Sequence, residues 1–284
     1  MIKLDAATVL LQWATGGLAF LWVTSRRREV GIGYGWLLRG TYLLLAIGSL
    51  VIGRRLDSAP LRDLFSLLVV LTTGAALAVS IVRRKAGVRH QRERVAARTA
   101  RVAAMTGIER AADEPDQTLP EFPPILDLVP VAIGLVGLVA AGVDAGDPVL
   151  LSVVRTIVGA AFLGSVSDAM LLGHWYLVQP GLARGPLLEL VRWVGVVWPF
   201  EVAALLWPTG MVSVLNGTID DHYGGLLGWF WAACAVTTIG LVVVTRAALK
   251  ERAYSAVMAA TGLLYLAILT AFGTALVARA VLAG

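Results

Sequence analysis

Four of the ionisable residues inside long apolar stretches of this chain stand out: Arg155, Asp168, Arg192 and Glu201. Charged side chains are costly in hydrocarbon, and those that are kept there pair with one another or take part in function. Each helical residue rises by about 1.5 Å, so Arg155 and Glu201 should lie at one depth in the membrane. Asp168 and Arg192 should lie together at another depth. We therefore predict two ion pairs, Arg155–Glu201 and Asp168–Arg192. Such pairs would neutralise the charges and hold helix register, while proton relay and binding of an anionic head group are the functional alternatives.

The most distinctive local sequence is Gly-His-Trp-Tyr-Leu-Val-Gln, residues 173–179, which closes an apolar stretch. Trp and Tyr are typical of the membrane–water interface, and glycine permits the close approach of a neighbouring helix. The histidine is the one imidazole inside an apolar stretch. This segment is typical of an ordinary interfacial anchor, and the alternative is a ligand site for a quinone ring or a lipid head group. The candidate residues are Gly173, His174, Trp175, Tyr176 and Gln179.

Other cofactors and catalytic motifs find less support in the sequence. Haem in a helical bundle usually needs two axial side chains that face each other, whereas His90 and His222 lie in connecting segments. We therefore expect no intrinsic bis-His haem, and a quinone is the cofactor candidate. The one cysteine, Cys234, can form neither an internal disulfide nor a cysteine metal site. The acidic segment 220–222 indicates a solvated loop rather than a metal site, and the sequence predicts no catalytic residue.

Eight stretches of the chain have the length and apolar character of a helix that crosses a hydrocarbon core, about 20 residues each. With 58% hydrophobic residues, too little polar chain remains to cover these stretches in a water-soluble fold. We therefore predict an all-α polytopic membrane bundle of about eight transmembrane helices. The predicted spans are Ala7–Val23, Trp36–Gly53, Leu64–Val82, Ile125–Gly142, Leu150–Leu172, Leu187–Trp207, Leu226–Thr245 and Ala253–Val277.

A long polar connector, residues 83–124, divides the chain into a three-helix segment, 1–82, and a five-helix segment, 125–284. Apolar residues at helical spacing (Val95, Val102 and Met105) predict a basic amphipathic helix over 88–108, which either continues from the third span or lies on the inner leaflet. We expect this connector to be solvated and in contact with lipid. A docking surface for a cytoplasmic partner protein is the alternative.

Basic residues concentrate in alternate connections of the chain: 26–28, 83–110, 184 and 246–252. The positive-inside rule places these connections in the cytoplasm and both termini outside. The net charge of +5 thus indicates membrane topology rather than nucleic-acid binding. Many Ala, Val, Leu, Gly and Arg residues with few Lys and Asn indicate a GC-rich bacterium, and hence its plasma membrane.

Two functions are compatible with these features. The first is a non-catalytic subunit, an anchor or accessory part of a larger respiratory or electron-transfer complex, with a quinone or lipid contact near His174 and partner subunits bound through 83–124. The second is a stand-alone transporter of a small hydrophobic or anionic solute that uses Arg155, Asp168 and Glu201. A transporter should arrange those charges around a water-accessible cavity, whereas an anchor should bury them.

Overall fold

The protein is described by a computed structural model that covers residues 5–56, 58–86, 96–97, 100, 120–179, 182–251 and 253–283. The regular secondary structure of this part of the chain is helical. Two short 3-10 helices lie at the two ends of the connector, at Arg83–Ala86 and Pro124–Asp127. The α-helices are α1 (Ala6–Ser25), α2 (Ile32–Leu56), α3 (Pro60–Val82), α4 (Leu128–Asp144), α5 (Val149–Val178), α6 (Gly185–Leu206), α7 (Met211–Leu215), α8 (Leu226–Ala248) and α9 (Tyr254–Leu282).

Seven of the described helices are long and apolar enough to cross a membrane: α1, α2, α3, α4 with its preceding 3-10 turn, α5, α8 and α9. This confirms the predicted class, an all-helical multi-pass membrane protein. The 22-residue helix α6 is not among the seven, because Glu189, Arg192 and Glu201 interrupt its apolar sequence.

Local sequence accounts for several helix ends. The carboxylate of Asp5 accepts hydrogen bonds from the backbone N–H groups of Ala7 (2.9 Å) and Thr8 (3.2 Å), which caps the first turn of α1. Pro60 is the first residue of α3, where a missing N–H leaves no hydrogen bond unmade. Helix α5 continues to Val178, six residues beyond its predicted end at Leu172, so most of the predicted ligand segment is helical.

Helix α1 is the central helix of the bundle. The most apolar part of α1 is 72% buried, compared with 33% for α2, α8 and α9. It packs against α2, α4 and α5, so helices from both sides of the connector form one bundle. The contact with α5 is close: a Cβ added to Gly16 would lie 1.8 Å from the carbonyl oxygen of Ala160. Small residues at such a crossing let two backbones meet.

Part of the predicted organisation lies outside the described residues. The predicted amphipathic helix 88–108, with Val95, Val102 and Met105, is outside them except for 96–97 and 100. The dipeptide 180–181 after the ligand segment is also outside. The division of the chain at 83–124 therefore stays a prediction.

Candidate functional site

His174 lies on the perimeter of the bundle, where α5 faces α9. Its Nδ1 is 2.9 Å from the hydroxyl oxygen of Tyr265, and the two rings meet edge to face. Both side chains are exposed. When the tyrosine hydroxyl donates to Nδ1, the neutral imidazole carries its proton on Nε2, which can donate to an oxygen of a ligand. Sequence reasoning missed Tyr265, which is 91 residues away and in no recognisable motif.

The other four predicted ligand residues face different neighbours. Trp175 donates its indole N–H to Oε1 of Gln179 (3.1 Å), one turn further along α5, and its ring packs near a tyrosine ring of α2. Tyr176 is buried, and its hydroxyl donates to a backbone carbonyl. The carbonyl of Gly173 accepts a hydrogen bond of 3.0 Å from a threonine hydroxyl of α9. These contacts hold neighbouring helices together. The exposed candidates for ligand binding are therefore His174 and its partner Tyr265.

Arg155 and Glu201 are brought close together, as their predicted depths require, and each is only 2% exposed. Arg155 does not form a direct ion pair with Glu201 among the described residues; its Nε donates to the carbonyl of Ala204 (2.8 Å), and Nη2 to that of Thr209 (3.3 Å). Glu201 interacts electrostatically with Arg155 and with Arg279 of α9. Backbone carbonyls of α6 and of the loop after it thus satisfy the guanidinium of Arg155.

A buried glutamine of α1 joins this cluster. Arg279 donates to Oε1 of Gln12 (2.5 Å), and Nε2 of Gln12 donates to the carbonyl of Thr156 (2.5 Å). Gly159 leaves room for the cluster, since an added Cβ there would lie 2.9 Å from Nε2 of Gln12. Sequence reasoning missed Gln12, although an amide inside the predicted span Ala7–Val23 was a usable signal.

Asp168 is fully buried and faces α2, not α6. The hydroxyl of Tyr42 donates to Oδ1 of Asp168, and the hydroxyl of Tyr34 donates to its backbone carbonyl at 3.4 Å. Oδ2 has no hydrogen-bond partner among the described residues. The predicted partner Arg192 is exposed on the outer face of α6, so the structure does not form the Asp168–Arg192 pair. The similar depth predicted for Asp168 and Arg192 did not determine the direction in which each side chain faces.

A small cleft opens at the end of the bundle where the basic connections meet. Its wall includes Tyr34 and Arg39 of α2. Arg39 forms a buried two-point ion pair with Asp127, with Nε–Oδ1 and Nη2–Oδ2 distances of 2.7 Å each. At the rim, Arg28 pairs with Glu121 (2.7 Å). Sequence reasoning missed the Arg39–Asp127 pair, although both residues lie within predicted spans.

At the opposite end of the bundle, acidic side chains organise the helix starts. Arg62 pairs with the α1 cap Asp5 and with its own neighbour Asp63. In the loop before α8, the carboxylate of Asp221 accepts four backbone N–H groups, at 2.8 to 3.3 Å. Burial acts to raise the pKa of Asp221, but these donors outweigh it and hold the pKa below its ordinary value. Asp221 is therefore a helix cap.

Comparison with protein-family models, with curated proteins and with solved structures finds no match to this chain. The class therefore rests on the chain itself: a multi-pass α-helical membrane protein whose described residues include three buried polar clusters and an exposed His–Tyr pair. The clusters are Arg155–Glu201–Arg279–Gln12, Asp168–Tyr42–Tyr34 and Arg39–Asp127.

Proposed function

We propose that the chain is a non-catalytic integral membrane subunit of a larger bacterial electron-transfer complex, with a quinone or lipid head group bound at His174. The observation that carries this proposal is the exposed His174–Tyr265 pair, with 2.9 Å between Nδ1 and the hydroxyl oxygen. A quinone carbonyl and a lipid phosphate both present oxygen acceptors for the remaining imidazole N–H. Either ligand can reach a perimeter site laterally through the bilayer. Trp175, half-buried beside the pair, is suited to the interfacial depth at which such oxygens lie.

The burial of the intramembrane charges favours a subunit over a transporter. Arg155, Glu201 and Asp168 are 2%, 2% and 0% exposed, and none of them lines the cleft at the basic end. A transport path would set these groups around water. In this proposal the partner subunits bind the connector 83–124, the longest segment between predicted spans.

We also propose that α6 crosses the membrane as an eighth span, antiparallel to α5. Near its start, Glu189 pairs with Arg26 at the basic end (2.5 Å). Near its end, the carbonyl of Ala204 accepts from Arg155, in the second turn of α5. Charge compensation supports this crossing despite the lower hydropathy of α6.

The orientation in this proposal follows from the charges at the two ends of the bundle. Arg26, Arg83 and Arg184 all lie at one end, where Arg83 donates to the carbonyl of Glu121 (3.0 Å) and Arg184 to that of Ala253 (2.9 Å). The positive-inside rule assigns this end to the cytoplasm of a bacterial plasma membrane and both termini to the outside.

The test is mass spectrometry of the full chain purified from native membranes in a mild detergent, with bound proteins, quinones and phospholipids quantified. We expect co-purifying oxidoreductase subunits and a bound quinone whose occupancy falls about tenfold in His174→Ala, the equivalent of one lost hydrogen bond of about 1.4 kcal/mol. His222→Ala, at an exposed loop histidine, is the matched control and should retain wild-type occupancy.

The outcomes separate the alternatives. Loss of one phospholipid class instead of a quinone in His174→Ala would assign the head group as the ligand. Recovery of a lone monomer or homodimer, with no redox partner and no ligand that depends on His174, would refute the subunit proposal. The transporter would then be tested by solute flux in vesicles with Glu201→Gln.

A further inference from the structure

We propose that Asp168 is a proton-exchange site inside the membrane, loaded from the cleft at the basic end through the hydroxyl of Tyr34. This site is separate from the His174–Tyr265 pair, because Asp168 is fully buried and faces α2. The proposal does not depend on the identity of the ligand at His174.

Two tyrosines of α2 enclose Asp168. Tyr34 and Tyr42 are eight residues apart on α2, which places them about 12 Å apart along the axis and on one face of the helix. The hydroxyl of Tyr42 donates to Oδ1, and that of Tyr34 reaches the backbone carbonyl of the same aspartate at 3.4 Å. Oδ2 is buried and has no hydrogen-bond partner among the described residues. One carboxyl oxygen is thus free to hold a proton.

The groups that face this cluster are uncharged. Among the described residues, and besides the two tyrosines of α2, they are the Thr24 hydroxyl of α1, which donates to the carbonyl of Phe20 at 3.0 Å, and the phenol of Tyr176 on α5 itself. Asp168 has no ion pair among the described residues, and the nearby Arg39 is already paired with Asp127 at 2.7 Å. An isolated carboxylate in such surroundings is far more costly than the neutral acid. The carboxyl therefore carries a proton in the resting protein.

Tyr34 lies between Asp168 and the cleft, and its hydroxyl donates to the backbone carbonyl of Asp168 at 3.4 Å. It is one of the residues that line the cleft, together with Arg28, Arg39 and Glu121. In the exchange step, the hydroxyl of Tyr34 turns from the backbone carbonyl of Asp168 to its carboxylate. A hydronium ion in the cleft then gives a proton to the phenol oxygen and becomes water, while the phenol's own hydroxyl proton passes to the carboxylate. The tyrosine is regenerated, the carboxylate becomes the acid, and no electrons are transferred. The reverse sequence releases the proton to the same cleft.

Exchange occurs from one side, because the other side of Asp168 is closed by packing. One turn away on α5, a Cβ added to Gly164 would lie 2.1 Å from the carbonyl carbon of Gly16, so the α1 and α5 backbones leave no room for water there. The ring of Tyr42 fills the adjacent space, 2.0 Å from the position of a Cβ on Gly17. The proton therefore enters and leaves at the basic end.

The test is infrared spectroscopy of the full chain in lipid nanodiscs during a change from water to deuterium oxide. We expect a carboxylic-acid C=O band at neutral pH that disappears in Asp168→Asn. Wild-type protein with isotopically labelled aspartate carboxyl carbons should show the same band shifted, which assigns it to aspartate even where the variant fails to fold. After the change to deuterium oxide, this band should move at a rate about 10²-fold lower in Tyr34→Phe than in the wild type. That factor is the low end of what a positioned proton-transfer group contributes.

Tyr265→Phe is the matched control, since it removes a phenol hydroxyl on the bundle perimeter, and it should exchange at the wild-type rate. The proposal is overturned if aspartate contributes only carboxylate bands at neutral pH. It is also overturned if Tyr34→Phe exchanges as fast as the wild type.

Discussion

Replacing Gly164 by alanine tests the contact between α1 and α5 that places Asp168 against α2. The added Cβ would lie 2.1 Å from the carbonyl carbon of Gly16 and 2.6 Å from the nitrogen of Gly17. The first distance is about 1.3 Å short of the 3.4 Å at which ordinary contact begins. Both neighbours are backbone atoms, so no change of rotamer relieves the clash, and the two helices must separate.

The expected loss of stability follows from two opposing effects. Overpacking costs about 3 kcal/mol at the upper end of its usual range, which applies because backbone meets backbone. Alanine in place of glycine recovers about 1 kcal/mol of helix propensity. We therefore expect the free energy of unfolding of Gly164→Ala to fall by about 2 kcal/mol. Gly74→Ala and Gly240→Ala are matched controls, because nothing lies within 4 Å of a Cβ at either position. They should be neutral or more stable by up to about 1 kcal/mol.

The measurement is unfolding of the detergent-solubilised protein by sodium dodecyl sulfate, followed by tryptophan fluorescence and circular dichroism. Gly164→Ala should unfold at a lower fraction of the denaturing detergent than the wild type, and both controls at an equal or higher one. If Gly164→Ala unfolds together with the controls, the close approach of α1 and α5 is refuted.

Two further predictions concern the ends of the bundle. Asp127→Asn leaves the buried Arg39 guanidinium without its carboxylate, and we expect the same titration to show a loss of about 3–5 kcal/mol. The double variant Arg39→Met with Asp127→Leu should recover most of the lost stability. If it is instead as unstable as the sum of its two single variants, the buried ion pair is contradicted. Because the pKa of Asp221 is lowered in the folded protein, its stabilisation is present above the unfolded pKa of about 3.9 and is lost as the pH falls through the folded value. Stability measured against pH should show this acid loss in the wild type and in Asp220→Asn but not in Asp221→Asn; an identical acid profile in all three proteins would count against the cap.

The sequence showed which apolar stretches carry ionisable residues, but not which side chains those residues contact. Arg155 and Glu201 lie close together because rise along a helix is regular. Asp168 and Arg192 fail to meet because the direction in which each side chain faces depends on how its helix packs. The missed residues show the same limit. Gln12 and Arg39 stand inside predicted spans as visible polar residues, but nothing in the sequence indicated which helices they would face.

By itself the sequence determined the class of this protein and the existence of its long helices, since the thickness of a hydrocarbon core translates directly into apolar length. It located some helix starts closely, as at α1, where prediction and structure differ by one residue, Ala7 against Ala6. The predicted starts of α2 (Trp36) and α3 (Leu64) are each four residues late. Only the tertiary structure decided which side chains meet. Tyr42 and Asp168 are 126 residues apart in the chain, and His174 and Tyr265 are 91 apart. Their contacts depend on the rotation and crossing of whole helices, which local residue patterns do not specify.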